Sequence, residues 1–315
     1  MSSTGANYKV SNKDRARLRY ALGRGAVDLD RSLLGPGTVT WEVNREAVLL
    51  AGGGCALLMQ VAHPLVAAGV AEHSNFRERP LDRLTRTLDL MLTITFAPAR
   101  AAIQAVKEIE RRHERVRGRL RSQAGPFPPG TEYSASDPAL MLWVHATLVD
   151  TAYRVFEMFV RPLERDEAER YYEESKVVAR VLGIPREIIP ATWSDFQAYF
   201  QRMLWSDELA VSAESRAIAK AILEPERPLW LRTVMPPARL LAIGLLPEVL
   251  RTRYRFSWSL WNEYAMRSLV AATALALPWL PPQIRYFAHA RAAWQREGAG
   301  RDRQRATAQA GAQVA

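Results

Sequence analysis

Residues 80–118 read PLDRLTRTLDLMLTITFAPARAAIQAVKEIERRHERVRG, and this stretch decides the fold. It predicts two consecutive helices broken at Pro98. Proline lacks an N–H, disfavours helix at the residue before it and suits a first helical position. At about 100° per residue, Ala102, Ile103, Val106, Ile109, Val116 and Leu120 fall on one stripe of the second helix. His113 lies at the centre of that stripe, with Arg117 one turn later toward its edge. A buried polar ring without a partner costs roughly a few kcal/mol, so His113 needs a hydrogen bond or a metal.

Outward from this hairpin, helical signals continue in both directions. Upstream, residues 11–34 read as a basic helix and a short turn helix, and Trp41 to Gln60 as one apolar helix. Gly52, Gly53 and Gly54 lie inside it at a cost of roughly 1 kcal/mol each relative to alanine, which suggests close approach by another helix or a flat ligand. Without a following lysine or a preceding strand they do not make a phosphate loop. Downstream, the loop Ala124 to Tyr133 holds three prolines, and Asp137 with Pro138 opens a long helix through Phe159. Further helices are expected over 164–182, 194–204, 212–223, 236–245, 257–277 and 282–296. No strand alternation, repeat or interdomain linker stands out. The expectation is a single all-α domain over residues 26–296, with a basic extension over 1–25 and a disordered tail over 297–315.

Charge follows that division. The chain carries a formal +10. Residues 1–25 hold a net +5 and residues 285–315 a net +4, leaving the body close to +1. A nucleic-acid groove needs basic residues on the folded surface with stacking aromatics, so the terminal excess argues against one. At most it supports weak peripheral contact of the tails with anionic lipid. Cys55 is the only cysteine, which excludes a disulfide framework. The hydrophobic run 47–71 is interrupted by glycines, Gln60, His63 and Pro64, whereas a membrane span prefers about 20 uninterrupted apolar residues. With a polar N-terminus lacking a signal pattern, the sequence reads as cytoplasmic.

Three chemistries compete for His113. One is a core histidine bonded to a carbonyl. A second is heme, which needs one imidazole, cations for the propionates and an apolar slot. Arg83, Arg86 and Thr87 share a flank of the preceding helix beside Leu84, Leu88 and Met91, suiting such a slot as well as a solvated pair. The third is di-iron: Glu110 to His113 is a Glu-x-x-His, but no second copy exists. His63 and His73 are expected to flank the same pocket, where His63 is a candidate cofactor contact, His145 reads as a hydrogen-bonded core or cofactor-pocket residue, and His289 as a surface residue. No Gly-x-Ser-x-Gly elbow supports a serine hydrolase.

The runs LLMQVAHPLVAAGVAEHSNF and DPALMLWVHATLVDTAYRVFEMFV, with RLTRT and HERVRG between them, resemble the MpaB-like family over roughly residues 40–290. That family groups the rubber oxygenase (latex-clearing protein) catalytic domain with an endoplasmic-reticulum oxygenase of mycophenolic acid biosynthesis. The resemblance implies an all-helical fold with heme b (iron) buried between helices. His113 and Arg117 match its proximal His-x-x-x-Arg, and Arg83, Arg86 and Thr87 its distal Arg-x-x-Lys-Thr. Arg86 replaces the lysine and, unlike lysine, does not lose its proton to ligate iron. Thr147 aligns with the family's threonine, and Glu72 is the nearest candidate for its glutamate base. The implied activity is O₂-dependent oxidation of an apolar or unsaturated small molecule, with an electron donor where required. The competing expectation is a heme carrier or gas sensor.

Overall fold

Helix boundaries follow local chemistry closely in this computed structural model, which describes residues 10–23, 25–74, 80–225 and 231–298. Ser11 and Asp14 form a reciprocal capping box that opens α1 (Asn12–Leu22). Residues 12–22 of the expected basic extension are therefore a docked helix, and residues 1–9 lie outside the described residues. Leu18 and Ala21 are fully buried, and Arg17 and Lys107 pair across to Glu110 and Asp14 at 2.6 and 2.8 Å.

The expected helix Trp41–Gln60 is broken into α2 (Val39–Asn44), a 3₁₀ turn (Ala47–Gly52) and α3 (Gly53–Val61). Glu46 sits at the break with its side chain fully buried, and Arg285 grips both carboxylate oxygens at 3.0 Å. A buried carboxylate needs such a partner, and losing it costs about 3–5 kcal/mol. The glycines serve helix contact. A Cβ on Gly52 would lie 2.4 Å from Thr151 Cγ2, and one on Gly54 2.7 Å from Ala242 Cβ.

After α4 (Pro64–His73), α5 (Pro80–Phe96) and α6 (Ala99–His113) form the expected antiparallel hairpin. Pro98 is the N-cap rather than the first helical residue, its carbonyl accepting from the Ala102 N–H at 3.0 Å. α6 ends at His113, short of the expected Gly118. The chain then makes a small antiparallel pair, β1 (Arg117–Arg119) with β2 (Glu132–Ser134), Gly118 opposite Tyr133. Val116 and Leu120 leave the α6 stripe and pack with Leu65, Ala68 and Tyr133. That burial replaces the helical turns they would have extended.

Asp137 accepts from the Ala139 and Leu140 N–H groups to open α7 (Pro138–Phe159). Around it lie α8 (Arg165–Val181), α9 (Trp193–Trp205), α10 (Ala213–Leu223), α11 (Leu231–Gly244), α12 (Glu248–Tyr254) and α13 (Leu260–Ala276). α11 runs straight through Pro236 and Pro237, so it begins earlier than their presence suggests. The largest apolar cluster joins α3, α7, α8, α9, α11 and α13, and a second joins α1, α5, α6 and α8. The expected last helix is divided at Tyr286, where Phe287 N–H bonds the Arg45 carbonyl, into α14 (Pro282–Arg285) and α15 (288–298). Glu297, placed in the tail by sequence, is buried and accepts from Ser32 N–H and Arg31. The architecture is all-α apart from that one short ribbon. Among the described residues, no single helix is long and apolar enough to cross a membrane.

Candidate functional site

The α5–α6 hairpin brings the C-terminal end of α6 beside the N-terminal half of α5. His113 is the last helical residue there and is half-buried. No described residue hydrogen-bonds its ring. Burial pulls its pKa below the usual histidine range, with Glu110 acting weakly in the other direction. Glu110 is itself held by Arg17. The result is a neutral imidazole whose acceptor nitrogen is not taken up by any described residue, the form that ligates a metal.

Arg117 does not share a helix face with His113. It stands exposed on β1, and its guanidinium donates to the Glu114 carbonyl at 2.7 and 3.0 Å, closing the end of α6. Beside it, Tyr133 OH donates to Glu72, whose other oxygen accepts from Arg121 at 3.1 Å. His73 Nε2 lies 3.2 Å from the Arg117 carbonyl. Burial, then the bond to Glu72, raises the Tyr133 phenol far above its ordinary pKa. Sequence reasoning missed Tyr133. The only clue was that the proline-rich loop Ala124–Tyr133 needs closure by its flanks. The side chains of Arg83 and Arg86 lie outside the described residues, and Thr87 is exposed on α5.

The other candidate residues do not converge with His113 in one cluster. Thr147 is fully buried on α7, where its hydroxyl donates to the Val144 carbonyl at 2.7 Å and accepts from Gln60 Nε2 at 3.1 Å. Both functions of the hydroxyl are used, so it acts as a link in the α3–α7 seam. His63 is the N-cap of α4, its Nδ1 accepting from Leu65 N–H at 3.3 Å and its ring 5.3 Å from Phe127. Burial, partly countered by Asp137, lowers its pKa to about 4. His145 differs from the hydrogen-bonded core residue anticipated: its buried Nε2 has no partner, and desolvation alone lowers it to about 4. His289 pairs with Asp89 at 3.0 Å near the surface. Cys55 is buried, its thiol pushed up to about 12, and is chemically quiet.

These donors fit one cofactor better than another. Among the described residues, no three His, Cys, Asp or Glu side chains gather closely enough to hold a metal ion, and Glu110 is committed to Arg17. A di-iron carboxylate site does not fit. An axial ligand for heme asks for one uncommitted neutral imidazole. His113 offers one at the helix end and His145 a second deeper in α7.

Comparison with known proteins adds an independent finding. A family model described as "ER-bound oxygenase mpaB/B'/Rubber oxygenase, catalytic domain" matches residues 41–275. Uncharacterised proteins of Mycobacterium bovis and Mycobacterium tuberculosis are each 28% identical over 250 residues, covering 76% of this chain and 92% of theirs. No solved structure matches the chain.

Proposed function

The chain belongs to the MpaB/rubber oxygenase catalytic-domain family, and from that premise we propose that it is a heme-dependent oxygenase of apolar or unsaturated small molecules. The observation that carries the heme reading is His113, neutral, half-buried and without a hydrogen-bond partner among the described residues. Bound heme supplies the activation of O₂. His113 holds it, and its uncharged state leaves a ring nitrogen free for the purpose without first losing a proton. Arg83, through its match to the family's distal pattern, contributes positive charge, which stabilises developing negative charge in a dry site. Arg86 stays protonated, so it contributes charge rather than ligation, and Thr87 a hydroxyl. Tyr133 keeps its proton and donates it in a hydrogen bond to Glu72 beside β1, near the same helix end, where His73 meets the Arg117 carbonyl.

The decisive measurement is an absorption spectrum before and after dithionite, on wild type and His113→Ala. The variant should lose the Soret band and remain helical by circular dichroism. Wild-type heme content in the variant would remove His113 as ligand and pass the role to His145. Oxygen uptake with unsaturated apolar compounds should then fall far more than heme content in Arg83→Ala. A heme-loaded protein that consumes no O₂ across such a panel is a carrier or sensor.

A further inference from the structure

α13 is apolar on both sides. Its inner face buries Met266 and packs Leu269 and Val270 against the main core. The opposite face should be polar on a solvated helix, yet it centres on Tyr264 and Leu275, 64% and 76% exposed. Leu260, Trp261, Ser268, Ala271 and Ala272 flank them at helical spacing, with Trp261 83% exposed. Among the described residues of α13, the charges nearest this face are Arg267, at its edge, and its partner Glu263. The chain continues past Leu275 to Trp279, 86% exposed. The three aromatic side chains alone present on the order of 450 Å², within the range of the largest patch on a typical monomer, where such patches are often functional.

We propose that this face of α13, together with Trp279, seats the protein on the surface of an anionic lipid bilayer. Tryptophan and tyrosine combine an apolar ring with a polar N–H or O–H, which suits the boundary between headgroups and acyl chains. Leu260 and Leu275 enter the acyl side, and the small residues between them let the helix lie flat. Charge selects this occupant over a second copy of the chain. Another copy stacked on this face brings a second exposed Arg255 beside the first, whereas phosphatidylglycerol headgroups bring the opposite sign. Arg255 stands exposed just before α13 to meet them. The terminal segments 1–9 and 299–315 do not supply a cover, since Met1, Tyr8 and Val314 are their only large apolar residues. The proposal is independent of the chemistry at His113.

The test is flotation of full-length protein with phosphatidylcholine vesicles and with vesicles containing phosphatidylglycerol, for wild type and for Trp261→Ser combined with Trp279→Ser. Both residues project into solvent, so the double variant should melt like wild type. Wild type should float with the phosphatidylglycerol vesicles, with a blue shift in tryptophan emission. The double variant should need about tenfold more lipid, and salt should weaken both. Equal flotation of the two proteins would place binding in the basic termini and overturn the proposal. So would a concentration-dependent dimer that the double variant abolishes, with no vesicle binding, because the face then belongs to a second copy.

Discussion

The seam between α3 and α7 and the corner at the end of α6 use the same kinds of residue in opposite ways. In the seam, Trp143 Nε1 donates to the Met59 carbonyl and Gln60 Nε2 to the Thr147 hydroxyl, and beside it Tyr254 OH on α12 donates to the Leu58 carbonyl. Gly52 and Gly54 let the neighbouring helices touch. At the corner, Tyr133, Glu72, Arg117 and His73 are bonded, but no described residue bonds the His113 ring. A family threonine that looks functional in sequence is a structural link, while the histidine for which core and ligand readings competed is the group no described residue bonds. Polar satisfaction separates the two regions more sharply than burial does.

The largest expected effect breaks the interior. His63 and His145 have folded pKa values of about 4, against about 6.5 in the unfolded chain. The unfolded state therefore binds more protons below pH 6.5. Stability is complete above that value and falls as the pH drops toward 4. From pH 7 to pH 5 each histidine should remove about 2 kcal/mol. His145→Leu should flatten the urea-midpoint profile by about half while leaving pH 7 stability intact, because its Nε2 has no partner to lose. A profile that ignores the substitution would mean that His145 is solvated or bonded.

Next in size is Gly52→Ala. The new methyl would meet Thr151 Cγ2 and Val155 Cγ2 at 2.4 and 2.8 Å, and overpacking of this kind costs about 1–3 kcal/mol. The melting temperature should drop by several degrees, and Thr151→Ser should recover part of it by removing the nearer methyl. No drop at all would refute the close approach that defines the seam.

Much of this fold was legible in the sequence for physical reasons that act locally. Pro98 breaks the hairpin, Asp137–Pro138 caps α7, and stripes such as Ala102, Ile103 and Val106 point to the core. What could not be read depends on distant partners. The end of α6 at His113 is set by packing of Val116 and Leu120 against α4 and Tyr133. The break at Glu46 is set by Arg285, far along the chain, and the docking of Glu297 by Ser32. Helical periodicity carried Arg117 onto the wrong element for the same reason, since nothing within 114–119 announces a strand. The candidate site was legible as residue types, but not as a division between committed and uncommitted groups.

The smallest expected effect is the most discriminating one. His113→Leu, measured on heme-free protein at pH 7, should change stability by no more than about 0.5 kcal/mol. No described residue hydrogen-bonds its ring, so no partner is stranded when it goes, and its half-buried position accepts an apolar side chain of similar volume. Its uncharged state at that pH means no ion pair is lost either. The same substitution should abolish the Soret band, so a near-zero effect on the fold would accompany a complete effect on heme content. If instead the heme-free variant loses as much stability as Gly52→Ala, the ring makes contacts that hold the corner together. His113 would then belong with Thr147 among the structural residues, and the uncommitted imidazole of this fold would be His145.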